Sequence, residues 1–332
     1  VKKIVKNKLV LFFLLISLFI YLNNTHLFAN PSNKDPFLLA HRGLAQTFSM
    51  KGIENDTCTA QRIHQPEHPY LENTIPSMEA AFKAGADIVE FDIKPTKDGQ
   101  FAVFHDWTLD CRTNEKGMTK DYTMSELKKI DIGYGYTPDN GKTYPFRGKG
   151  VGLMPSMKEV LTHFPEGSFL IHFKSDDPKE GELLAQELSK LSKKRLDQLT
   201  VYGGDKPIAE LKKNLPNIRV MSKETMKNCL LPYIAIGWTG FIPSACEHTQ
   251  LHIPETYAPW LWGWPEKFVD RMKTVDTNVI VVGGDGGWSE GFDTAGDTKR
   301  LPSNYTGGIW TNRVDRIAPL YREMNDNTNG HK

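Results

Sequence analysis

The chain has 332 residues, 39% of them hydrophobic and 24% charged, with 41 Lys and Arg against 40 Asp and Glu. That length admits one large α/β domain or two smaller ones, and no low-complexity tract argues for disorder. A formal charge of +1 with no basic cluster excludes nucleic acid as an expected partner.

The N-terminus departs from this ordinary composition. Lys2, Lys3, Lys6 and Lys8 precede an unbroken apolar run over 9–22, and Leu27-Phe28-Ala29 offers a small residue for cleavage. This is the n-, h- and c-region order of a secretory signal peptide, and the run is shorter than the roughly 20 residues of a spanning helix. Residues 1–29 are therefore expected to be a signal peptide that sends the chain to a periplasmic or secreted location. An uncleaved anchor is the second reading. Its four Lys and no acid take the formal charge from +1 to −3 when they leave, and 30–332 is expected to form a single domain. In an oxidising compartment an even number of cysteines favours disulfides, and four cysteines allow three pairings. Cys58–Cys111 and Cys229–Cys246 are favoured: the second closes a short loop, and the first ties two long loops together. The spacings match no zinc module.

After a polar leader over 30–36, the run 37–40 predicts a buried strand that delivers His41-Arg42-Gly43 at its end. A polar loop over 44–71 is long for a compact domain and predicts a lid or insertion over a site. Thr74 as N-cap, Pro76 in the first turn and a shared face of Ile75, Met78 and Phe82 predict a helix that stops at Gly85. In the strand that begins at Ile88, Glu90 and Asp92 are two residues apart and project from one face, while Val89, Phe91 and Ile93 fill the other. Two acids on an otherwise apolar strand are costly to bury unless a cation or polar partner meets them. A Lys-Asp-Gly turn at 97–99 leads to a second apolar run, 101–104, that ends in His105-Asp106.

A second long loop follows over 107–153, with a short helix near 125–130. Beyond it, helices over 156–164, 179–194, 206–215, 223–236, 266–275 and 313–324 alternate with strands over 169–174, 199–202, 218–221, 279–282 and 308–311. An irregular strand is expected over 251–258. About eight strands, apolar on both faces, imply parallel pairing and an α/β (β/α)8 TIM-type barrel with long insertions in its early βα loops. A doubly wound sheet is the structural alternative, but no G-x-G-x-x-G follows the first strand.

In a barrel the active site lies at the C-terminal ends of the strands. Those ends carry His41, Arg42, Glu90, Asp92, His105, His172 and Lys174, and Leu170, His172 and Lys174 share the inward parity. Two carboxylates suit a hard divalent cation, Ca²⁺ or Mg²⁺ first. Arg42 and Lys174 can neutralise phosphate oxygens, and two histidines can act as base and acid on either side of a phosphorus. The residue types therefore fit metal-assisted phosphodiester cleavage. Two other motifs carry less: EHTQLH (247–252) lacks the zincin order, and no Lys-Ser/Thr follows the glycines of GGDGG (283–287).

The order HRG (41–43), ENT (72–74), E-x-D (90–92), HD (105–106), a strand ending in Lys174 and a late IWTNR (309–313) resembles the glycerophosphodiester phosphodiesterase family, barrels related to phosphatidylinositol-phospholipase C. The resemblance runs from Phe37 onward, tight to Asp106 and loose over 200–306. It implies hydrolysis of a small-molecule glycerophosphodiester to glycerol phosphate and an alcohol, with no stable protein partner. By position it implies His41 and His105 as the acid–base pair and Arg42 and Lys174 as phosphate ligands. It implies Glu90 and Asp92 as metal ligands, with Glu72 beside the metal.

Three features depart from the family pattern. The glutamate expected two residues before the lysine is His172, a metal-ligand candidate that removes one negative charge and admits a softer ion. The loop between HRG and ENT is much longer than usual. The late region is rich in tryptophan (Trp238, Trp260, Trp262, Trp264, Trp288, Trp310), mostly as core or loop anchors, with some in a leaving-group pocket. Two competing functions follow. One is a phospholipase C- or D-like enzyme that contacts membrane lipids through PWLWGWP (259–265); the other is a catalytically weakened barrel that serves as a binding protein.

Overall fold

Eight short strands, apolar on both faces, build the centre of the molecule. They are β1 (Phe37–Ala40), β2 (Ile88–Pro95) with its antiparallel partner β3 (Phe101–Val103), β4 (Ser168–Phe173), β5 (Leu199–Tyr202), β6 (Arg219–Met221), β7 (Gln250–Pro254), β8 (Asn278–Val282) and β9 (Gly308–Thr311). The computed structural model describes residues 2–25, 35–54, 56–287 and 290–329, the side chains of 2–6 and 322–329 excepted. The expected cleavage region at 27–29, most of the polar leader and Trp288 lie outside the described residues.

The parallel order is β6-β5-β4-β2-β1-β9-β8-β7. A parallel bridge between Val220 and Thr249 joins the two ends, with the Thr249 hydroxyl donating to the Val220 carbonyl at 2.5 Å. The sheet thus closes into the expected barrel. The strand expected over 251–258 stops at Pro254 because the chain turns there: the Tyr257 N–H donates back to the Pro254 carbonyl at 3.0 Å. The helix expected over 179–194 is two, Pro178–Leu188 and Lys193–Leu196, because the Ser192 side chain caps a new start.

The period-2 pattern of β2 does what it predicts. Val89, Phe91 and Ile93 are fully buried outward, with the Phe91 ring edge-on to Phe169 at 5.3 Å; each such side chain contributes about 1.5–3 kcal/mol. Glu90 and Asp92 point inward, and pairing with β4 sets Asp92 opposite His172. Within the barrel, Leu39, Leu170, Met221, Ile280 and Trp310 form a separate apolar cluster that fills the interior as a layer. The helix Ile75–Ala84 is fixed by a Thr74–Ser77 capping box and by Gly85, whose φ of 117° only glycine adopts freely.

The two long loops fold on each other. Leu109, Leu127, Met154 and Ala60 belong to a second apolar core that they share. Both favoured disulfides form, Cys58–Cys111 across the two loops and Cys229–Cys246 beside the helix Lys223–Ile236. In the N-terminal helix Lys2–Asn24, the segment Asn7–Asn24 is long and apolar enough to cross a membrane and is exposed. Its end is seated on the barrel by Asn23 and Asn24, whose amides donate to the Trp238 carbonyl at 3.0 and 2.9 Å.

Candidate active site

β1 ends at Ala40, and the chain turns at its C-terminal end beside β9, where the His41 N–H donates to the Thr311 carbonyl at 2.9 Å. The His41 ring places Nδ1 2.6 Å from the Asn312 side-chain oxygen, so Nδ1 carries the proton. Its Nε2 accepts from Arg42 Nε at 3.0 Å. Burial, with the Arg42 charge, holds the His41 pKa well below the usual histidine value. Arg42 has φ 57°, a conformation uncommon for a residue with a Cβ. That turn lets its backbone N–H donate to Glu90 at 3.1 Å while its side chain reaches Glu72 at 3.0 Å and lies 3.4 Å from Asp92. Burial works against the guanidinium charge, but Glu72, Asp92 and Glu90 outweigh it and raise its pKa. Gly43 follows at φ 78°, where a Cβ would lie 2.5 Å from Ser77 Oγ; glycine lets HRG lie against the helix start.

Glu90 and Asp92 are completely buried. Asn73 grips Asp92 twice, donating to Oδ2 at 2.9 Å and accepting from the Asp92 N–H at 3.0 Å. The Tyr202 hydroxyl donates to Glu90 at 2.8 Å. The His172 ring stacks on Tyr202 at 4.0 Å, and its Nδ1 lies 2.8 Å from Asp92 and 3.6 Å from Glu90. Burial and the Asp92 charge push the Glu90 carboxyl up to about 8. Burial would raise Asp92 too, but His105, Arg42 and the His172 bond hold it well below the carboxylate range. So one acid of the pair keeps a proton at neutral pH, the signature of a pocket short of positive charge.

The donor atoms of Glu90, Asp92 and His172 all lie within 4.8 Å of one another. A divalent cation among these donors would take the place of the proton held by the carboxylate pair, with the His172 ring binding as its neutral form. Two hard carboxylates and one imidazole fit such an ion.

His105 follows β3 and donates from Nδ1 to Asp106 at 2.8 Å, which leaves Nε2 to accept from the Lys174 ammonium at 2.9 Å. Burial and then Arg42 bring its pKa down to about 4. Glu72 lies elsewhere than expected of a metal ligand: one oxygen is 3.0 Å from Arg42 and the other 3.0 Å from Arg112. It buttresses the guanidinium groups and is not among the converging donors.

Two cavities meet at Lys174 and His172. The smaller, about 160 Å³, lies under the 44–71 loop and is lined by His41, Arg42, His105, Gln46 and Asn312. The larger, about 1070 Å³, is lined by Met221, Met226, Leu230, Trp260 and Trp310 among others. Trp260 and Trp310 are therefore cavity walls, whereas Trp262 and Trp264 pack against the core. EHTQLH holds no joint site: His248 pairs with Asp276 at 2.6 Å, while His252 contacts Tyr202 and Trp310.

Four contributors carried no role in the motif reading. Asn73 lies inside ENT, and Tyr202 and Asn312 stand at strand ends, so the barrel-mouth rule applied consistently would have found them. Arg112 lies in an insertion beside a cysteine, and no local signal marks it.

A model of the glycerophosphoryl diester phosphodiesterase family matches residues 41–231. The glycerophosphodiester phosphodiesterase of Bacillus subtilis is 33% identical over 170 residues, 47% of this chain and 56% of that protein. The matched stretch spans 38–56% of the length of the first three curated relatives. Among solved structures, the glycerophosphoryl diester phosphodiesterase domain of a Mycobacterium tuberculosis protein superposes with a TM-score of 0.59 at 14% identity, covering 87% of this chain and 99% of that one. An Oleispira antarctica phosphodiesterase in complex with the product sn-glycerol-3-phosphate gives 0.53 at 17%, covering 87% and 97%. These likenesses share the barrel. With the family model across most of the site, the conclusion is direct: this chain belongs to the glycerophosphoryl diester phosphodiesterase family.

Proposed function

We propose that the chain is an exported, metal-dependent glycerophosphodiester phosphodiesterase that releases glycerol phosphate and an alcohol. The observation that carries this reading is the convergence of two neutral histidines and two cations on one cavity, which the buried Glu90–Asp92–His172 group reaches through His172. Glu90, Asp92 and His172 would hold Ca²⁺ or Mg²⁺, the imidazole admitting a softer ion as well. When bound, such an ion supplies charge stabilisation at phosphate oxygens and at the attacking hydroxyl. Arg42 and Lys174 bind the phosphate's remaining oxygens.

His41 enters the cycle neutral, with its proton on Nδ1 toward Asn312 and the Nε2 lone pair available as general base once Arg42 turns to the phosphate. The nucleophile is water or the neighbouring hydroxyl of the glycerol, which would give a cyclic phosphate. His105, whose Nε2 accepts from Lys174 in the free site, takes up a proton there when the anionic diester enters and gives it to the leaving oxygen. Asp106 steadies the imidazolium at Nδ1, and Lys174 stands one hydrogen bond from the proton's position. The test is H105A with glycerophosphocholine: turnover should vanish while metal binding persists, and retained turnover overturns the assignment.

A second reading rests on the larger, mostly apolar cavity, which suits a diester with a long apolar arm held in a membrane. Hydrolysis of phospholipid vesicles in preference to water-soluble glycerophosphocholine would favour it. Residues 30–332 are taken as one catalytic domain and 1–29 as an export leader. The exposed apolar helix and the two disulfides support that assignment.

A further inference from the structure

Arg112 touches neither cavity, yet it is the most heavily engaged cation near the site. Its side chain is buried, and a buried guanidinium is costly unless every donor is used. Nε donates to Asp106 at 2.7 Å, and Nη1 lies 3.0 Å from Glu72 and donates to the Tyr136 hydroxyl at 2.5 Å. Nη2 donates to the Thr59 hydroxyl at 2.5 Å. The two carboxylates it holds are the ones that hold the reacting groups. Asp106 uses its other oxygen on His105 Nδ1, and Glu72 uses its other oxygen on Arg42.

The grip is assembled outside the barrel. Thr59 comes from the first insertion and Arg112 from the second. The disulfide joins the residues immediately before each of them, Cys58 and Cys111. The Arg112 carbonyl is held by the Gly135 N–H at 3.1 Å, and a Cβ on Gly135 would lie 1.9 Å from the Cys111 carbonyl oxygen, so the backbone is packed against its neighbour there.

We infer that Arg112 is a positioning residue for His105, and that the Cys58–Cys111 disulfide serves the reaction by fixing Arg112 against Thr59; the inference rests on the phosphodiesterase reading. Arg112 sets the Asp106 carboxylate, Asp106 sets the His105 ring and its tautomer, and the ring then aims Nε2 at the leaving oxygen. Loss of a hydrogen bond behind a functional ligand costs about 10–100-fold in function. Here that loss should appear specifically where a leaving oxygen needs a proton.

The experiment compares two diesters, glycerophosphocholine and glycerophospho-p-nitrophenol, whose nitrophenolate leaves unprotonated. Kinetics are measured on the full chain with wild type, H105A, R112K, D106N, C58S/C111S and, as the distant control, C229S/C246S. The quantity read is the ratio of the kcat losses on the two substrates, because weakening of the Glu72–Arg42 arm lowers both alike. R112K and D106N should lose about 10–100-fold more on the choline ester than on the nitrophenyl ester. C58S/C111S should move the ratio the same way by a smaller factor, and C229S/C246S should not move it. Equal losses on both substrates for R112K and D106N overturn the positioning role, and an unmoved ratio for C58S/C111S overturns the part given to the disulfide. D106N reads the same arm should R112K not fold. Equal losses for H105A itself would instead overturn the acid assignment, whatever the Arg112 variant does.

Discussion

The most informative perturbation of the Glu90–Asp92–His172 group is to add the cation it is short of and count the protons that leave. Glu90 is held up at about 8 by burial and by Asp92. It therefore holds a proton at neutral pH, where a free carboxyl does not, and gives it up as the pH rises past that value. Asp92 is already ionised, and His172, brought down to about 4 by burial, is already neutral. A divalent ion that binds the ionised pair should release a proton at pH 7 and progressively less at higher pH, with affinity that rises with pH and then levels off once Glu90 is ionised. Isothermal titration calorimetry with Ca²⁺, Mg²⁺ and Mn²⁺, in buffers of different ionisation enthalpy, measures that number directly. Binding that releases no proton at pH 7, or the same number at pH 9, would refute the claim that the ion replaces the Glu90 proton. The stability of the metal-free protein carries the same signature. Folded Glu90 binds its proton more tightly than the unfolded chain does, so its contribution is present at low pH and is lost as pH rises towards 8. His105, His172 and His252, lowered by burial to about 4, 4 and 3, act in the opposite sense and cost stability as pH falls below 6.5. Metal-free melting temperature should therefore peak near neutrality, and excess metal should remove the decline on the alkaline side.

E90Q should flatten that alkaline decline in thermal melts while it lowers metal affinity at least tenfold by calorimetry. N73A removes both bonds to Asp92 and should cost about 10–100-fold in metal affinity and kcat, a loss visible in a metal titration of activity. G43A forces a Cβ to within 2.5 Å of Ser77 Oγ at a positive φ. It should destabilise by about 1–3 kcal/mol and lower the melting temperature by several degrees. H172E restores a third acid and should tighten Ca²⁺ and Mg²⁺ about tenfold or more, with a larger proton release at pH 7 than the native chain.

The barrel was legible because its strands are short and largely apolar, and because β2 breaks that rule on its inward face, first at Glu90 and Asp92. The site residues on strand ends followed from parity: once Leu170 faces in, His172 and Lys174 follow. What the sequence hid lies in the insertions, where no period relates a residue to the barrel. Arg112 meets Glu72 and Asp106 only because two loops fold on a core of their own, and that contact depends on Leu109, Met154 and a disulfide rather than on spacing. Glu72 illustrates the same limit. Its place in ENT put it near the site, but the guanidinium that occupies its second oxygen lies 40 residues away in a loop.

Charge explains why the acid-to-imidazole exchange at position 172 is compatible with chemistry on a phosphate. When Glu90 is ionised and Lys94, brought down to about 8 by burial, is neutral, four carboxylates, Glu72, Glu90, Asp92 and Asp106, face three cations, Arg42, Arg112 and Lys174. A divalent ion turns that deficit of one into an excess of one, which matches the single negative charge of a phosphodiester. A glutamate at 172 would leave the loaded site neutral before substrate arrives. On the proposed metal-dependent reading, His172 would leave the pocket one positive charge for the diester at the expense of part of its hold on a hard cation. The exchange would then move attraction from the metal to the substrate, while Arg42 and Arg112 each neutralise one oxygen of the buried Glu72.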